Sequence, residues 1–284
     1  MKYGVIDIGS NSVRLMISEN GKSVKKIIST TRLAEGKKDG FLSEKPSLRT
    51  LKAVLEFVST AKAEDVDKIF IFATAAVRNA VNGKDFALSV ENACGIKVDV
   101  VSGETEAILA CKGAVLGKNG AVLDIGGGST EIAAVKNGRC VYTKSLPFGA
   151  VVLTDKFGQD ALAIREYVKE QVKEYGEIPQ SDFYCIGGTC TSLAAISQKL
   201  AVYDVKKVDG YRLTAAKISR LANELAVLSV EERQRVSGLQ KERADIIHAG
   251  AIILDEVAKF LGAEYFTVSE SDNLEGYLNY ITER

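Results

Sequence analysis

Residues 121–131 read AVLDIGGGSTE, an apolar run that carries one acid and is followed by three glycines. Four of its first five residues are apolar, which is typical of a buried strand. The exception is the fourth residue, Asp124, an acid that is costly to bury without a cation or a hydrogen-bond donor. Gly126, Gly127 and Gly128 then remove every Cβ from the turn, so the backbone can direct its N–H groups at a ligand. The pattern indicates a turn that binds phosphate together with a divalent cation.

The end of the same stretch adds two hydroxyls and a second acid, from Ser129, Thr130 and Glu131. A glycine-rich hairpin turn that binds nothing has a similar composition. Taken alone, the stretch therefore makes a phosphate site only somewhat more favoured than a plain turn.

A second copy of the stretch lies near the start of the chain. YGVIDIGSNSVRLMISENG (3–21) and GAVLDIGGGSTEIAAVKNG (120–138) align without a gap, with Asp7 at the position of Asp124. Both copies end in Asn-Gly, a strong signal for a tight hairpin turn. Each copy predicts a strand, a small-residue turn, a strand, an Asn-Gly turn and a strand. The repeat indicates a duplicated domain, whose two acid-plus-glycine turns could grip one phosphate group from both sides.

Composition excludes several classes of function. The 284 residues carry 37 Lys plus Arg and 37 Asp plus Glu, so the chain lacks the basic footprint of a protein that binds nucleic acid or an anionic membrane. The start, MKYGVIDIGS, lacks the apolar core of a signal peptide, and no apolar run reaches the ~18 residues of a membrane span. The five scattered cysteines are expected to be free thiols of a cytoplasmic protein.

The region between the two copies predicts alternating helices and strands. A strand over 68–73 runs into a small-residue turn followed by Arg78, a common place for ligand residues in α/β folds. Ser102 is a plausible N-cap for the next helix. Its Glu104 is explained as a complement to the helix dipole, whereas Glu106 should be delivered to the cleft by the preceding strand.

Glycines suggest where the chain divides. The segment 113–120 contains three of them and is the candidate hinge. We expect one domain over 1–117 and a second over 118–269, with a last helix of about 270–284 returning to the first domain.

The second half repeats the arrangement of a strand, a small-residue turn and a helix. Here the turn is Gly187, Gly188 and Thr189, and a helix N-terminus behind two glycines suits an anion. A close strand-to-helix turn without a ligand is equally well supported by these residues alone. The single histidine, His248, lies in an apolar helix that we expect over 242–261, and it is assigned no role.

Seven motifs then carry a resemblance to a known family. In chain order they read GVIDIGSNSVRLMI, ATAAVRNA, VVSGETEA, AVLDIGGGSTEIAAV, SLPFGAVVLTD, YCIGGTCTSLAAI and ERADIIHAGAIIL. Together they resemble the exopolyphosphatase/guanosine pentaphosphate phosphohydrolase family of the actin-like phosphotransferase superfamily, in its short form, over about 4–276. The resemblance implies an α/β fold of two ribonuclease-H-like (actin-like) domains with an interdomain cleft.

The resemblance also implies roles for individual residues. Glu106 matches the catalytic base, and Asp124 and Glu131 match the acids around the metal, Mg²⁺ or Mn²⁺, and the water, so Glu131 is expected to be both catalytic and a metal ligand. The expected phosphate-binding residues are Asp7, Gly9, Ser10, Asn11, Ser12, Arg14, Arg78, Gly126, Gly127, Gly128, Ser129 and Thr130, together with the turn Gly187, Gly188 and Thr189.

Three departures from the family pattern stand out. Val152 occupies a position where many relatives have Arg, and the final motif reads SDNLEG (271–276) in place of an arginine-containing turn. The C-terminal helical domain of longer relatives has no counterpart here. These differences bear on the affinity for polyphosphate and on the range of chain lengths.

The sequence thus predicts a hydrolase that releases terminal phosphate from inorganic polyphosphate, favouring short chains and acting as a homodimer. The alternatives are a guanosine pentaphosphate 5′-phosphohydrolase, an ATP-dependent small-molecule kinase of the same superfamily, and a non-catalytic sensor. Such a sensor would bind polyphosphate or guanosine pentaphosphate, a nucleotide of the alarmone class. The motif order disfavours the kinase. The presence of Glu106, Asp124 and Glu131 together disfavours the sensor, because binding alone requires no base.

Overall fold

The computed structural model describes residues 1–115, 119–179 and 181–282, which form two mixed β-sheets with helices packed around them. The strands in these residues are β1 (Lys2–Ile8), β2 (Ser12–Glu19), β3 (Lys22–Thr30), β4 (Lys68–Ala73), β5 (Val98–Val100), β6 (Gly120–Ile125), β7 (Thr130–Lys136), β8 (Arg139–Leu146), β9 (Phe183–Ile186), β10 (Arg212–Thr214) and β11 (Tyr265–Val268). The predicted α/β class is confirmed.

The helices surround the two sheets. In the same residues they are α1 (Glu44–Ala63), α2 (Ala75–Arg78), α3 (Gly83–Cys94), α4 (Gly103–Ala114), α5 (Ala150–Phe157), α6 (Ala161–Gln171), α7 (Gly187–Ser197), α8 (Val205–Val208), α9 (Ala215–Val227), α10 (Val230–Arg233), α11 (Ile247–Leu261) and α12 (Asn273–Thr282), with 3₁₀ turns at Val172–Tyr175 and Lys241–Arg243. None of them is long and apolar enough to cross a bilayer.

The first sheet has the strand order β3-β2-β1-β4-β5. Strands β1, β2 and β3 form an antiparallel meander, and β4 and β5 add in parallel to β1. Asn20 and Gly21 turn the chain between β2 and β3 with φ angles of 51° and 78°, the left-handed conformation that an Asn-Gly hairpin turn requires.

The second sheet repeats this plan within the order β10-β11-β9-β6-β7-β8. Its antiparallel meander is β6, β7 and β8, and β9 pairs in parallel with β6. In the two meanders, Asp7 lies opposite Arg14 and Asp124 lies opposite Glu131. The predicted duplicated hairpin is therefore confirmed, and Asp7 and Asp124 occupy the same position in the strand pairing of the two copies.

Helix α4 lies between the two sheets, and its N-terminus is well fixed because the Ser102 side chain accepts a hydrogen bond from the backbone N–H of Thr105. One face of α4, including Ala110, packs on β6, β7 and β9. Another part, at Leu109, joins a cluster with β1, β2, β4 and α12. Contacts with both sheets therefore fix the position of α4 and of the side chains that lie between its two packed faces.

The C-terminal helix α12 leaves the second sheet after β11 and packs against the first sheet. Its Tyr277 stacks on Phe72 of β4 with ring centroids 4.4 Å apart, and Leu274 and Leu278 are buried in the same cluster. The segment between β11 and α12 therefore passes between the two sheets.

Two predictions differ from the structure, the place of Gly113 in a hinge and the unbroken helix over 242–261. Gly113, expected in a hinge, is inside α4, and an added Cβ there would lie 2.0 Å from the carbonyl oxygen of Asp272, so this glycine serves close packing. The rest of the expected hinge, and the expected boundary between 117 and 118, lie partly or wholly outside the described residues. The single helix expected over 242–261 is interrupted at 244–246, where Asp245 is bound by Arg32 of the first sheet's side.

Candidate active site

A cleft of about 720 Å³ opens between the two sheets and brings most of the predicted site residues together. Of those residues, the ones that line it are Asp7, Gly9, Ser10, Asn11, Ser12, Arg14, Glu106, Asp124, Gly126, Gly127, Gly128, Ser129, Gly187, Gly188 and Thr189. The cleft lining does not include Arg78, Thr130 or Glu131.

The two glycine turns have the same internal hydrogen bond. The backbone N–H of Gly9 donates to the carbonyl of Ser12, and that of Gly126 donates to the carbonyl of Ser129, both at 3.0 Å. These two N–H groups are therefore used within the turns and do not point at a ligand. The turns also face each other, because a Cβ on Gly128 would lie 2.5 Å from Ser10 Oγ. Part of the reason for the glycines is thus packing between the turns.

Arg14 bridges two acids of the cleft. Its Nε donates to Asp7 Oδ2 at 2.9 Å and its Nη1 donates to Asp272 Oδ2. Burial opposes ionisation of Asp272, but Arg14 and Lys26 outweigh it and hold its pKa below the ordinary value. Burial raises the pKa of Asp7 against the opposing effect of Arg14. The guanidinium of Arg14 is thus engaged by carboxylates on both sides.

Asp124 is the last residue but one of β6, and its carboxylate is held by one amide. Asn273 Nδ2 donates to Asp124 Oδ2 at 2.7 Å. Burial is the main reason that the pKa of Asp124 rises to about 6, with Arg14 opposing and the carboxylate of Asp272 adding to the rise. A positive charge near Asp124 would favour its ionised form.

Glu106 enters the cleft from the first turn of α4, and only 6% of it is exposed. Arg78 Nη1 donates to Glu106 Oε2 at 2.7 Å and to the carbonyl of Val101 at 3.0 Å. Burial raises the pKa of Glu106 to about 7, although Arg78 opposes the rise. Arg78, expected to contact phosphate, is directed at Glu106 in this structure, so the geometry gives it a part in positioning the carboxylate.

Glu131 lies on β7 opposite Asp124, deeper than the cleft surface. Ser145 Oγ donates to its Oε1 at 2.6 Å, and its Oε2 is buried without a hydrogen-bond partner in the described part of the chain. Burial, together with the charges of Glu106 and Asp124, raises its pKa well above the ordinary value. Its expected role as a metal ligand stays a prediction, which requires the carboxyl to lose its proton.

The third turn lies between Asp124 and an arginine that sequence reasoning missed. A Cβ on Gly187, which has a φ of 81°, would lie 2.6 Å from Asp124 Oδ1, and one on Gly188 would lie 1.8 Å from Arg243 Nη1. Arg243 Nε donates to Gln240 Oε1 at 3.0 Å. Its Nη1 and Nη2 form no ion pair among the residues that the structure describes, so this guanidinium is available to an anion in the cleft.

Two further residues of the cleft, Asp272 and Asn273, were not predicted. They belong to the SDNLEG turn, which the sequence marked only as a departure from the family pattern. Arg243 had a signal of its own, the motif ERADIIHAG, to which no role was assigned. In each case the missing information was the distant partner, since Asn273 and Asp124 are 149 residues apart.

The residues present fit a divalent cation that is shared with a substrate. Carboxyl groups outnumber cationic side chains in the lining of the cleft, and Asp7 Oδ1 is buried without a hydrogen-bond partner in the described residues. Within those residues no group of three or more His, Cys, Asp or Glu is placed to hold a metal alone. Mg²⁺ is commonly held by one or two carboxylates, waters and substrate phosphates, which matches this arrangement.

Comparisons with known proteins identify relatives of the chain. The model of the Ppx/GppA phosphatase family matches residues 5–282. The "Bifunctional 3-dehydroquinate synthase/phosphatase" of Fusobacterium nucleatum is 32% identical over 302 residues, which cover 95% of this chain and 45% of that protein. "Exopolyphosphatase 2" of Mycobacterium tuberculosis is 28% identical, with 97% of each chain covered.

The crystal structure of the Aquifex aeolicus member of the Ppx/GppA family superposes with a TM-score of 0.82. It is 29% identical, and the match covers 100% of this chain and 99% of that one. The chain spans less than half of the Fusobacterium protein but nearly all of the Mycobacterium and Aquifex ones. The match of the family model over nearly the whole length shows that the chain belongs to the Ppx/GppA phosphatase family.

Proposed function

We propose that this chain hydrolyses the terminal phosphoanhydride of inorganic polyphosphate with the help of Mg²⁺ or Mn²⁺. The observation that carries the proposal is the position of Glu106, a buried carboxyl in the cleft beside Asp124 and between two glycine turns. Membership of a phosphatase family and a relative named as an exopolyphosphatase support a hydrolase acting on phosphoanhydrides.

Glu106 is the general base of the proposed reaction. A positioned carboxylate with a pKa of about 7 can take a proton from water at neutral pH, where efficient proton transfer requires a pKa near the working pH. Arg78 holds one carboxylate oxygen, Oε2, and so fixes the direction of the group. The water is activated by proton transfer to Glu106 as it attacks the terminal phosphorus in line with the leaving oxygen.

The remaining groups hold the substrate. Arg243 offers a guanidinium beside the Gly187-Gly188 turn, suited to phosphate oxygens. Asp124 would hold a divalent cation together with substrate oxygens, and the cation would supply positive charge that offsets the excess of carboxylates and the charge of the phosphates. The charge of Asp7 raises the pKa of Asp124, so the two carboxylates repel each other. The same cation would reduce this repulsion.

A guanosine pentaphosphate substrate is the second candidate. Tyr203 lines the same cleft near Arg243, and its ring offers a stacking surface that a nucleobase uses and inorganic polyphosphate does not. We treat the alarmone as the alternative because the phosphate-binding groups serve both substrates equally.

A panel of substrates tests the proposal. Phosphate release is measured with short and long polyphosphate, guanosine pentaphosphate, ATP and pyrophosphate, each with Mg²⁺ and with excess chelator. We expect release from polyphosphate that depends on Mg²⁺. Binding of polyphosphate without release supports a sensor, and phosphate transfer only when an acceptor alcohol is added supports a kinase; either result contradicts the proposal.

A further inference from the structure

Two adjacent residues at the start of α12 reach the acids of both glycine turns. Asp272 accepts from Arg14, which holds Asp7 of the first sheet, and Asn273 donates to Asp124 of the second. The chain crosses from one sheet to the other at this point. One short segment is therefore linked to the acid of each turn, to Asp7 through Arg14 and to Asp124 directly.

The amide of Asn273 suits its surroundings. It lies beside a carboxylate, Asp124, whose charged neighbours include Asp7 and Asp272. A donor from Nδ2 is the contact that a buried carboxylate needs there. The reverse orientation of the amide would place Oδ1 against the Asp124 carboxylate, two acceptors in contact, so the hydrogen-bond network fixes which atom donates.

The other end of this amide is an unsatisfied acceptor. Asn273 is 3% exposed and lines the cleft, and its Oδ1 is buried without a hydrogen-bond partner in the described part of the chain. Leaving a buried acceptor unpaired costs about 1–3 kcal/mol. An acceptor held in a cleft beside a carboxylate is suited to a water molecule of a hydrated cation.

The packing of α12 holds Asn273 in position. The backbone N–H of Leu274 donates to Asp272 Oδ1 at 2.9 Å, which caps the start of the helix. Gly276 packs so closely on α4 that an added Cβ would lie 1.9 Å from the carbonyl oxygen of Leu109. With Tyr277 stacked on Phe72, these contacts leave the amide little freedom.

We propose that Asn273 is a positioning residue for the divalent cation. Its Nδ2 orients the Asp124 carboxylate, and its Oδ1 accepts a hydrogen bond from a water bound to that cation. The proposal rests on the proposed function insofar as the cation serves phosphoanhydride hydrolysis. Partners of a metal ligand commonly affect metal affinity or activity by 10–100-fold.

The test compares Asn273→Leu, which is similar in size and lacks both amide atoms, with the wild-type protein. Mn²⁺ binding is measured by titration calorimetry in the presence of inorganic phosphate, and kcat and KM are measured on short polyphosphate. We expect Mn²⁺ binding to weaken and kcat to fall by roughly 10–100-fold, with KM changed less than about threefold.

The matched control is Asn279→Leu on the same helix. Asn279 contacts the carbonyl of Lys112 at 3.5 Å and does not line the cleft. The Asn279→Leu variant should keep wild-type Mn²⁺ binding and kcat. Its melting temperature measures how much stability is lost when an amide side chain on α12 is removed. Asn273→Ala, which cannot clash, is the second variant if Asn273→Leu folds poorly.

Several results would overturn the inference. These are wild-type Mn²⁺ binding and kcat in both Asn273 variants, an equal loss in Asn279→Leu, melting temperatures of both Asn273 variants far below the control, or no Mn²⁺ binding by the wild-type protein. If the wild-type protein binds Mn²⁺ but releases no phosphate from any substrate, the proposed function fails, and the binding measurements still decide the role of Asn273.

Discussion

At the scale of single residues, Glu106 is the group on which turnover should depend. Glu106→Gln keeps the size and the contact with Arg78 but removes the basic oxygen. We expect kcat to fall by about 10²–10⁴-fold, the usual contribution of a positioned acid–base group, with KM little changed. Glu104→Gln is the matched control, because Glu104 is exposed in the same helical turn.

The pH profile provides an independent check on this base. Glu106 must be deprotonated to accept a proton, and its pKa is about 7. The kcat of the wild-type enzyme should therefore fall about tenfold per pH unit below that pKa and reach a plateau above it. A profile that is flat from pH 5 to 8, or near wild-type turnover by Glu106→Gln, would place the base elsewhere.

Asp124 is expected to act through the cation. Asp124→Asn removes one negative charge from the cleft, and we predict that the Mg²⁺ concentration for half-maximal activity rises at least tenfold. The measurement is a Mg²⁺ titration of phosphate release. Asp182→Asn, which alters an exposed acid just before the neighbouring strand β9, should leave the titration unchanged. Full wild-type activity in excess chelator would contradict the role of Asp124.

His248 should affect stability. It is fully buried, Arg233 Nη1 lies 3.2 Å from its Nδ1, and its Nε2 lies 3.3 Å from the carbonyl of Gly158. Burial, with Arg233 adding to the effect, lowers its pKa from 6.5 to about 4. The unfolded chain thus binds a proton between these values that the folded protein does not, so stability is full above pH 6.5 and declines toward pH 4.

Chemical unfolding at a series of pH values measures this effect. Titration of His248 alone can change the free energy of unfolding by no more than about 1.4 kcal/mol per pH unit. His248→Gln, which does not titrate, should show a shallower decline between pH 6.5 and 4 than the wild-type protein. Parallel curves for the two proteins would mean that His248 titrates normally.

At the scale of secondary-structure elements, the contact between α4 and α12 connects Glu106 to the segment between β11 and α12, which passes between the two sheets. Gly113 lies against the Asp272 carbonyl and Gly276 against that of Leu109, each too close for a Cβ. Gly276→Ala should push α12 away from α4 and destabilise the protein by about 1–3 kcal/mol, as overpacking generally does.

Thermal unfolding and kinetics together test this prediction. Below its melting temperature the Gly276→Ala variant should lose kcat as well, because α4 carries Glu106 and α12 begins at Asn273. Asn279→Ala, on the same helix without such a close contact, controls for substitution on α12. An unchanged melting temperature would show that the two helices can separate at no cost.

The meanders could be predicted from the sequence because their signals are local. Alternation, Asn-Gly turns and glycine runs specify each hairpin within about 20 residues, and the offset between Asp7 and Asp124 revealed the repeat. The interruption of the predicted helix at 244–246 could not be found in this way, since Asp245 at the interruption is bound by Arg32, 213 residues away. The role of Gly113 was misread for the same reason.

At the scale of the whole molecule, contacts far apart in sequence hold the two sheets around the cleft. Arg32 donates to both carboxylate oxygens of Asp245, at 2.5 and 3.2 Å, and Lys26 of β3 pairs with Glu275 of α12. The resemblance predicted that a cleft exists and which turns line it. It did not predict Arg243 or Asn273, because Arg243 joins the site by lying against Gly188 and Asn273 by its contact with Asp124, 149 residues away.

The charge of the cleft lining bears on the length of polyphosphate that the enzyme accepts. Polyphosphate carries about one charge per unit, and holding many units requires a continuous basic surface, since each neutralised phosphate adds to affinity. This cleft of about 720 Å³ contains Asp209, Glu270 and Glu275 in addition to the acids of the turns. Such a lining suits the last few phosphates of the chain. It repels the remainder of a longer polyphosphate wherever that remainder has no bound counterions.

We therefore expect the enzyme to release its product after each cut and to favour short polyphosphate by kcat/KM. A gel time course on long polyphosphate at low enzyme concentration should show a ladder of intermediates, and raising the salt concentration should weaken binding only modestly because few phosphates are held. A homodimer that joins two clefts into one groove would hold longer chains. Long chains that vanish directly to phosphate without intermediates would show that the enzyme is processive and that the acidic lining does not limit the substrate.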